Sequence, residues 1–168
     1  MTSQSGIDTR EYRNFAGRFA TGVTVITLDD GSGPRGLTAN AFTSVSLNPT
    51  LLLVCVDHRA TSYPFMRKAD GFTVNILAED QEKVSGFFAG TTPPDNPMGG
   101  FGFRPGKTGA PILDGVIAWA ECRIYEVLAG GDHDIFLGEV IDMGTPRGDA
   151  APLLFYSGKY RLLAPLEG

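Results

Sequence analysis

The sequence has no cluster of basic residues and no long apolar run, and these two absences argue against nucleic acid and membranes as binding partners. Its 168 residues hold 14 Lys and Arg against 19 Asp and Glu, which gives a formal net charge of −5. Proteins that bind nucleic acid or an anionic membrane neutralise phosphates with Lys and Arg, so we expect neither partner. No apolar stretch approaches the ~20 residues of a membrane-spanning helix. The first residues also lack the apolar segment of a secretory signal, so we expect a cytoplasmic protein.

Cysteine and histidine are scarce. The chain has two Cys and two His, too few for metal sites built on several such ligands. Cys55 and Cys122 lie far apart in apolar runs, which predicts two buried free thiols rather than a disulfide or a redox pair. Asp132, His133 and Asp134 are suitable ligand types, but adjacent residues of a strand point to opposite faces. We therefore predict no metal site.

Three common active-site motifs are missing as well. The chain has no phosphate-binding loop of the G-x-x-x-x-G-K-[ST] type and no G-x-S-x-G nucleophile turn. The glycines of residues 99–102 neither follow a predicted strand nor open a helix, as a dinucleotide-binding unit would require. These absences exclude the corresponding nucleotidases, hydrolases and dehydrogenases.

Hydrophobic periodicity predicts a mainly β protein with a few short helices. An apolar face at Tyr12, Phe15 and Phe19 predicts a first helix that begins near Asp8 and ends near Gly22. Further helices are predicted over 61–68 and 80–88, an irregular segment over 90–109, and strands over 23–28, 36–46, 51–56, 72–77, 116–128, 135–143, 152–156 and 159–163. The strand at 51–56 is apolar throughout, so both of its faces should be buried. A turn-rich connection, residues 129–134, should join the two long strands.

The order of these elements favours one domain over residues 1–168. Strands do not alternate regularly with helices of crossover length, which argues against a doubly wound α/β fold. No repeat or linker marks a second domain. The simplest architecture is a closed or split antiparallel β-barrel, because closure removes exposed edge strands.

Residues 36–62 carry the pattern of a ligand site. Small residues alternate with hydroxyl residues in GLTANAFTSVS, and an apolar run and a polar tail follow. Small side chains let a flat ligand approach the backbone, and hydroxyl and N–H groups then supply hydrogen bonds. The alternative is two ordinary strands in which Ser and Thr suit a pleated surface.

Five segments together resemble the short-chain flavin reductases, the reductase components of two-component flavin monooxygenases. They are residues 21–27 (TGVTVIT), 36–49 (GLTANAFTSVSLNP), 71–77 (GFTVNIL), 131–133 (GDH) and 152–160 (PLLFYSGKY). The resemblance covers roughly residues 10–163. It implies a split antiparallel β-barrel of Greek-key type that forms a homodimer, with FMN or FAD bound near the subunit interface.

The resemblance also implies a set of flavin-binding residues. The flavin ring and ribityl chain would lie against Thr38, Ala39, Asn40, Ala41, Phe42, Ser44, Val45 and Ser46, with Cys55, Val56 and Asp57 at the border of the same pocket. Arg59, Thr61 and Ser62 would meet the phosphate, and Phe88 and Thr91 are weaker candidates. The alternatives are a solvated surface charge for Arg59, a helix cap for Thr61 and Ser62, and a core position for Phe88.

His133 is the one catalytic candidate, since the resemblance places it on the nicotinamide side of the flavin, where it could orient the nicotinamide or lend positive charge. Asp132 would form the turn and support it. Phe155, Tyr156, Ser157 and Gly158 would bind the dinucleotide. The alternative is a core strand followed by a turn, which explains Phe155 equally well.

The implied activity is hydride transfer from NADH or NADPH to FMN or FAD, with reduced flavin passing to a separate monooxygenase. Hydride moves directly between the cofactors, so no side chain needs to act as a nucleophile. Three alternatives stay open at this point: an electron carrier that retains its flavin, a barrel that binds another ligand without catalysis, and a pyridoxal-phosphate oxidase-like activity.

Overall fold

A seven-stranded antiparallel sheet forms the body of the protein in the computed structural model, which describes residues 6–164. The helices are α1 (Thr9–Ala16), α2 (Tyr63–Met66) and α3 (Glu82–Ala89), with a 3₁₀ turn (Glu79–Gln81) directly before α3. The strands are β1 (Thr21–Gly22), β2 (Thr24–Asp29), β3 (Pro34–Ala39), β4 (Phe42–Leu47), β5 (Thr50–Asp57), β6 (Gly71–Ile76), β7 (Phe103–Pro105), β8 (Pro111–Leu113), β9 (Ala118–Gly130), β10 (His133–Gly144), β11 (Leu154–Tyr156) and β12 (Lys159–Arg161).

The main sheet has the order β3-β2-β6-β9-β10-β5-β4, and its neighbours are all antiparallel. β3 and β4 are therefore consecutive in the chain but lie at opposite edges of the sheet. Only Asn40 and Ala41 join them, so the sheet curls until its two edges approach without pairing. The prediction of a mainly β protein, a split antiparallel barrel with a few short helices, is confirmed.

Two apolar clusters fill the interior. The larger lies inside the curled sheet and includes Ile26, Phe72 and Phe136, all fully buried. The smaller lies between the sheet and α3 and includes Val25 and Phe88. Val25 and Ile26 are adjacent in β2 and enter different clusters, because successive side chains of a strand point to opposite faces. Strand β2 is buried on both faces and thus packs against both clusters.

Strand β5 differs from its prediction. Leu52, Val54 and Val56 are buried, but the alternate residues Leu51, Leu53 and Cys55 are only half-buried. β5 lies next to the edge strand β4, so its second face is covered incompletely. The prediction that both faces are buried is wrong, and the partly open face leaves room beside Cys55.

Helix α1 begins as predicted and ends earlier than predicted. The carboxylate of Asp8 accepts hydrogen bonds from the backbone N–H groups of Arg10 and Glu11 at 2.8 and 3.1 Å, a typical N-cap. The helix stops at Ala16 rather than near Gly22, because the Gly17 carbonyl accepts a hydrogen bond from the Ser157 N–H at 2.9 Å. The chain end therefore docks where the helix would have continued.

Other boundaries also move. The predicted strand over 36–46 is two strands, broken at Asn40 and Ala41, and the predicted helix over 80–88 begins as a 3₁₀ turn. The predicted connection over 129–134 shrinks to Gly131 and Asp132, because the β9–β10 ladder continues to the pair His133–Gly130. Five strands of two or three residues, β1, β7, β8, β11 and β12, lie outside the seven-stranded sheet. Among residues 6–164, no helix has both the length and the apolar character to cross a bilayer.

Candidate functional site

A cavity of about 430 Å³ opens at the break between the two edges of the sheet. Its volume falls within the roughly 300–1,000 Å³ of small-molecule pockets. Strand β3, the end of β5, the loop before α2 and the C-terminal end of α3 enclose it. The lining residues are Gly36, Leu37, Thr38, Ala39, Asn40, Ala41, Cys55, Asp57, Arg59, Ala60, Thr61, Ser62, Phe88, Ala89, Gly90, Thr91 and His133.

Small residues and fixed hydroxyls build the floor of the cavity. Gly36 lies directly under Phe88, and a Cβ at Gly36 would come within 2.7 Å of the Phe88 ring. The Ser62 hydroxyl donates to the Gly36 carbonyl at 3.0 Å, and the Thr38 hydroxyl donates to the Ser85 carbonyl at 2.7 Å. These bonds join β3 to α2 and to α3, so the floor is held from both sides.

The Ser62 side chain does not cap helix α2, which was the alternative to a role in the cavity. It precedes α2, but its side chain makes no capping hydrogen bond, since the hydroxyl bonds across to β3. α2 itself has only four residues. Phe88 was expected to be either a cavity residue or a core residue, and it is both. It is 2% exposed, and it also lines the cavity.

Arg59 supplies the positive charge at the polar end of the cavity. Its Nε and one terminal nitrogen donate to the two oxygens of Asp57 at 3.1 and 2.7 Å. The guanidinium and the Arg59 backbone N–H hold the pKa of Asp57 well below its usual range, so the pair is ionised at neutral pH. The Arg59 side chain is 75% exposed, and exposed pairs of this kind are weak. An incoming anion can therefore compete with Asp57 for the guanidinium.

His133 lies at the first residue of β10, opposite Asp57 in the β10–β5 ladder. Its Nδ1 is 2.7 Å from the Asp132 carboxylate, and its side chain is 39% exposed. The bond to His133 lowers the pKa of Asp132, so the carboxylate is charged and fixes the orientation of the ring. This arrangement leaves Nε2 as the ring nitrogen for a ligand.

The two thiols have different surroundings. Cys122 is fully buried, and burial together with Glu121 raises its pKa to about 12. Cys55 lines the cavity and is only half-buried, which corrects the prediction of two buried thiols. Burial also raises the pKa of Cys55, so the thiol is not an activated nucleophile.

Several predicted flavin residues lie away from this cavity. Val56 is fully buried in the larger core cluster, because it alternates with Cys55 and Asp57 along β5. Val56 therefore does not border the pocket. The others lie on the edge strand β4, outside the cavity lining: Phe42, Ser44, Val45 and Ser46.

The predicted dinucleotide residues belong to two further cavities. Phe155 lines a cavity of about 170 Å³ that shares Thr38, Asn40 and Ala89 with the main one. Ser157 and Gly158 line a separate polar cavity with four residues of the α1 end, Arg13, Asn14, Gly17 and Arg18. Tyr156 lies beside it, and the Arg18 side chain lowers the pKa of the Tyr156 hydroxyl.

Sequence reasoning missed several contributors to the site. Ala89 and Gly90 line the cavity at the end of α3, and their small side chains between the candidates Phe88 and Thr91 were the available signal. The Ser85 hydroxyl pairs with the Tyr160 hydroxyl at 2.7 Å behind Thr38. No local pattern indicates this pair, which is 75 residues apart in sequence.

The described residues 6–164 contain no cluster of three or more His, Cys, Asp or Glu suited to a metal ion. Asp132 contacts His133, whereas the Asp134 carboxylate contacts His58. The cavity instead combines a small-residue floor, one cation and one histidine. This donor set suits a flat heteroaromatic ligand that carries an anionic group.

Comparisons with known proteins agree with that chemistry. Residues 16–164 match the family model described as "Flavin reductase like domain". An Acinetobacter baylyi protein named "Flavin-dependent trigonelline monooxygenase, reductase component" is 43% identical over 90% of this chain and 48% of its own length. A Streptomyces globisporus "NADH-dependent FAD reductase" is 41% identical over 94% of this chain and 87% of its own length.

Solved structures agree as well. The structure of the Streptomyces globisporus C-1027 NADH:FAD oxidoreductase SgcE6 in complex with NAD and FAD fragments has a TM-score of 0.88 and 38% identity, and the match covers 98% of this chain and 97% of that one. The chain spans about half the length of some curated relatives: 48% of the Acinetobacter baylyi protein and 42% of a Rhizobium meliloti protein named "Probable flavin reductase".

Proposed function

Because the chain belongs to the flavin reductase like domain family, we propose that it is an NAD(P)H:flavin oxidoreductase. It takes hydride from NADH or NADPH, reduces FMN or FAD, and supplies the reduced flavin to a separate monooxygenase. The observation that carries the proposal is the single cavity that combines the small-residue floor, Arg59 and His133. The names of two relatives support the hydride donor and the destination of the reduced flavin. One is an NADH-dependent FAD reductase, and the other is a reductase component of a monooxygenase.

The cavity residues fit a flavin by size and chemistry. Small residues at Gly36, Ala39 and Ala41 leave the backbone accessible to a flat ring. The Thr61 hydroxyl and the Arg59 guanidinium at the polar end suit the phosphate. The Thr38 and Ser62 hydroxyls donate to backbone carbonyls, so towards the flavin they act as acceptors for the ribityl hydroxyls. When bound, the flavin supplies hydride acceptance at N5.

The side chains of the protein position the two cofactors and form no covalent bond with them. Asp132 orients the His133 ring by the 2.7 Å bond, and His133 in turn orients the nicotinamide at the mouth of the cavity. Phe155 and Tyr160, whose rings pack 5.6 Å apart, offer an aromatic surface for the dinucleotide next to the main cavity. Alignment of the reacting atoms is a large part of the barrier reduction in such a transfer.

The pairing of Arg59 with Asp57 favours flavin as a substrate rather than a permanent group. An incoming phosphate has to displace Asp57 from the guanidinium, and the carboxylate stays near the bound anion. Both effects weaken flavin binding and assist its release. A reductase that exports reduced flavin requires such release.

The proposed active protein is a homodimer. Phe15, Phe19 and Leu47 are 76–93% exposed, although their character suits an interior. The β4 residues Ser44 and Val45 lie outside the cavity of one chain, so a second chain packed against β4 would bring them into a shared site. Light scattering after size exclusion tests this assembly. Since NADH and NADPH are cytoplasmic, we place the activity in the cytoplasm.

The test of the proposed activity is oxidation of NADH and NADPH by the purified protein with no flavin, with FMN and with FAD. Turnover that depends on added flavin supports the proposal, and the preferred flavin and nucleotide identify the substrates. A yellow protein that ignores added flavin and barely oxidises either nucleotide would contradict it and indicate an electron carrier that retains its flavin.

A further inference from the structure

Behind the cavity lies a buried carboxylate with three hydrogen-bond donors. Asp134 is 8% exposed. Its Oδ1 is 3.0 Å from His58 Nε2, and its Oδ2 accepts from the Tyr63 hydroxyl at 2.8 Å and from Arg67 at 3.3 Å. These bonds lower the pKa of Asp134, with the His58 contact as the largest cause. A carboxylate bound at both oxygens fixes the positions of its donors.

All three donors belong to one short segment, residues 58–67. This segment contains Arg59, Thr61 and Ser62, the polar residues of the cavity end. His58 precedes them, and Tyr63 and Arg67 follow them. The His58 and Tyr63 rings also pack at 4.9 Å between centroids. Asp134 therefore bonds to residues on both sides of the proposed phosphate ligands, and these bonds hold their loop in place.

The segment 58–67 is also bonded to the turn between β9 and β10. The His58 backbone N–H donates to the Asp132 carbonyl at 3.0 Å, and Asp134 follows His133 in β10. Alternation along the strand points the Asp134 side chain away from His133, so Asp134 does not contact the cavity. Its effect on a ligand must pass through the loop.

We propose that Asp134 is a positioning residue that preorganises the 58–62 loop for the phosphate of the flavin. This inference rests on the proposed function. With Asp134 in place, Arg59 and Thr61 meet the phosphate without first being ordered. Without it, ordering those residues opposes binding. The effect is specific to phosphorylated flavin, because riboflavin has the same ring and ribityl chain but no phosphate.

The experiment compares FMN and riboflavin binding to wild type, Asp134→Asn and the control Asp142→Asn. Dissociation constants come from titration of flavin fluorescence, and urea midpoints are measured in parallel. Asp142 lies on the same strand β10 and makes its own ion pair with Lys107 at 3.0 Å, but it does not line the cavity. Asp134→Asn should weaken FMN binding about tenfold or more and leave riboflavin binding unchanged, and Asp142→Asn should change neither.

Each other outcome has one meaning. Equal weakening of FMN and riboflavin by Asp134→Asn, or an unchanged preference for FMN, would overturn the positioning role alone. Wild type that binds both flavins equally would overturn the phosphate assignment as well, and wild type that binds none of riboflavin, FMN and FAD would overturn the proposed function. If wild type prefers FAD to FMN, FAD takes the place of FMN in the comparison. Tyr63→Phe is the second variant if Asp134→Asn does not fold. It removes one bond of the cluster and should weaken FMN binding about threefold, and an unchanged FMN affinity in that variant contradicts the inference.

Discussion

One added methyl group at Gly36 tests the structure of the cavity floor. Its Cβ would lie 2.7 Å from two carbons of the Phe88 ring, whereas carbon atoms pack best at about 3.5–4.0 Å. Such overpacking costs about 1–3 kcal/mol, and the gain from replacing Gly by Ala in a strand offsets about 0.5–1 kcal/mol. Because a contact of 2.7 Å is a severe overlap, the cost should lie in the upper part of that range, at about 2–3 kcal/mol. We therefore expect Gly36→Ala to lower the free energy of unfolding by about 1–2 kcal/mol.

A second substitution separates this clash from other effects. Phe88→Leu removes the ring from the packed core and should by itself cost about 1–2 kcal/mol, as a large-to-small change does. In the double variant the methyl group has space, so the combined loss should be smaller than the sum by about 1–2 kcal/mol, a coupling of the size found for residues in contact.

Urea unfolding followed by fluorescence measures both effects. With a slope of about 2 kcal/mol/M, Gly36→Ala should lower the midpoint by about 0.5–1 M. Gly86→Ala is the matched control, since a Cβ there meets no atom within 4 Å, and in helix α3 it should raise the stability by about 0.5–1 kcal/mol. An unchanged midpoint in Gly36→Ala, or strictly additive losses in the double variant, would refute the packing of Gly36 against Phe88.

Three other predictions concern the site. Iodoacetamide at mildly alkaline pH should modify the half-exposed Cys55 and spare the buried Cys122, and FMN should protect Cys55; mass spectrometry checks this, and FMN-independent labelling of Cys55 would contradict its place in the cavity. His133→Ala should slow flavin reduction under single turnover more than tenfold with little change in flavin affinity; a collapse of affinity at an unchanged rate would assign it to binding. The lowered pKa values of Asp57 and Asp134 mean that their stabilisation is complete above the unfolded carboxyl pKa of ~4 and is lost as the pH falls below it. Urea midpoints from pH 6 to 3 should therefore fall less steeply in Asp134→Asn than in wild type, and parallel curves would contradict this assignment.

Much of the fold was accessible from local sequence pattern. The β-branched run in β2 and the capping position of Asp8 predicted their elements correctly, since strand alternation and helix capping depend on neighbouring residues. The exposure of Phe15 was not accessible in this way. Its spacing with Tyr12 indicates an apolar helix face but does not say whether the same chain covers that face.

The cavity, too, was only partly predictable from the sequence. Residues 36–41 were recognisable as a backbone surface for a flat ligand by their small and hydroxyl side chains. The position of Val56 on the opposite face depends on which side of β5 meets the core, and the apolar run 51–56 does not reveal it. Phe88 reaches the cavity floor only because α3 packs over Gly36.

The sequence by itself determined the class of fold, the small-residue segment and the candidate residues His133 and Arg59. Only the tertiary structure decided how these residues are held. The pairing of His58 with Asp134 spans 76 residues, and it exists because the β5–β10 ladder places Val56 opposite Asp134. Periodicity reports contacts between near neighbours in the chain, whereas strand register brings distant residues together. The loop that carries Arg59 is therefore positioned by a residue that no local pattern associates with it.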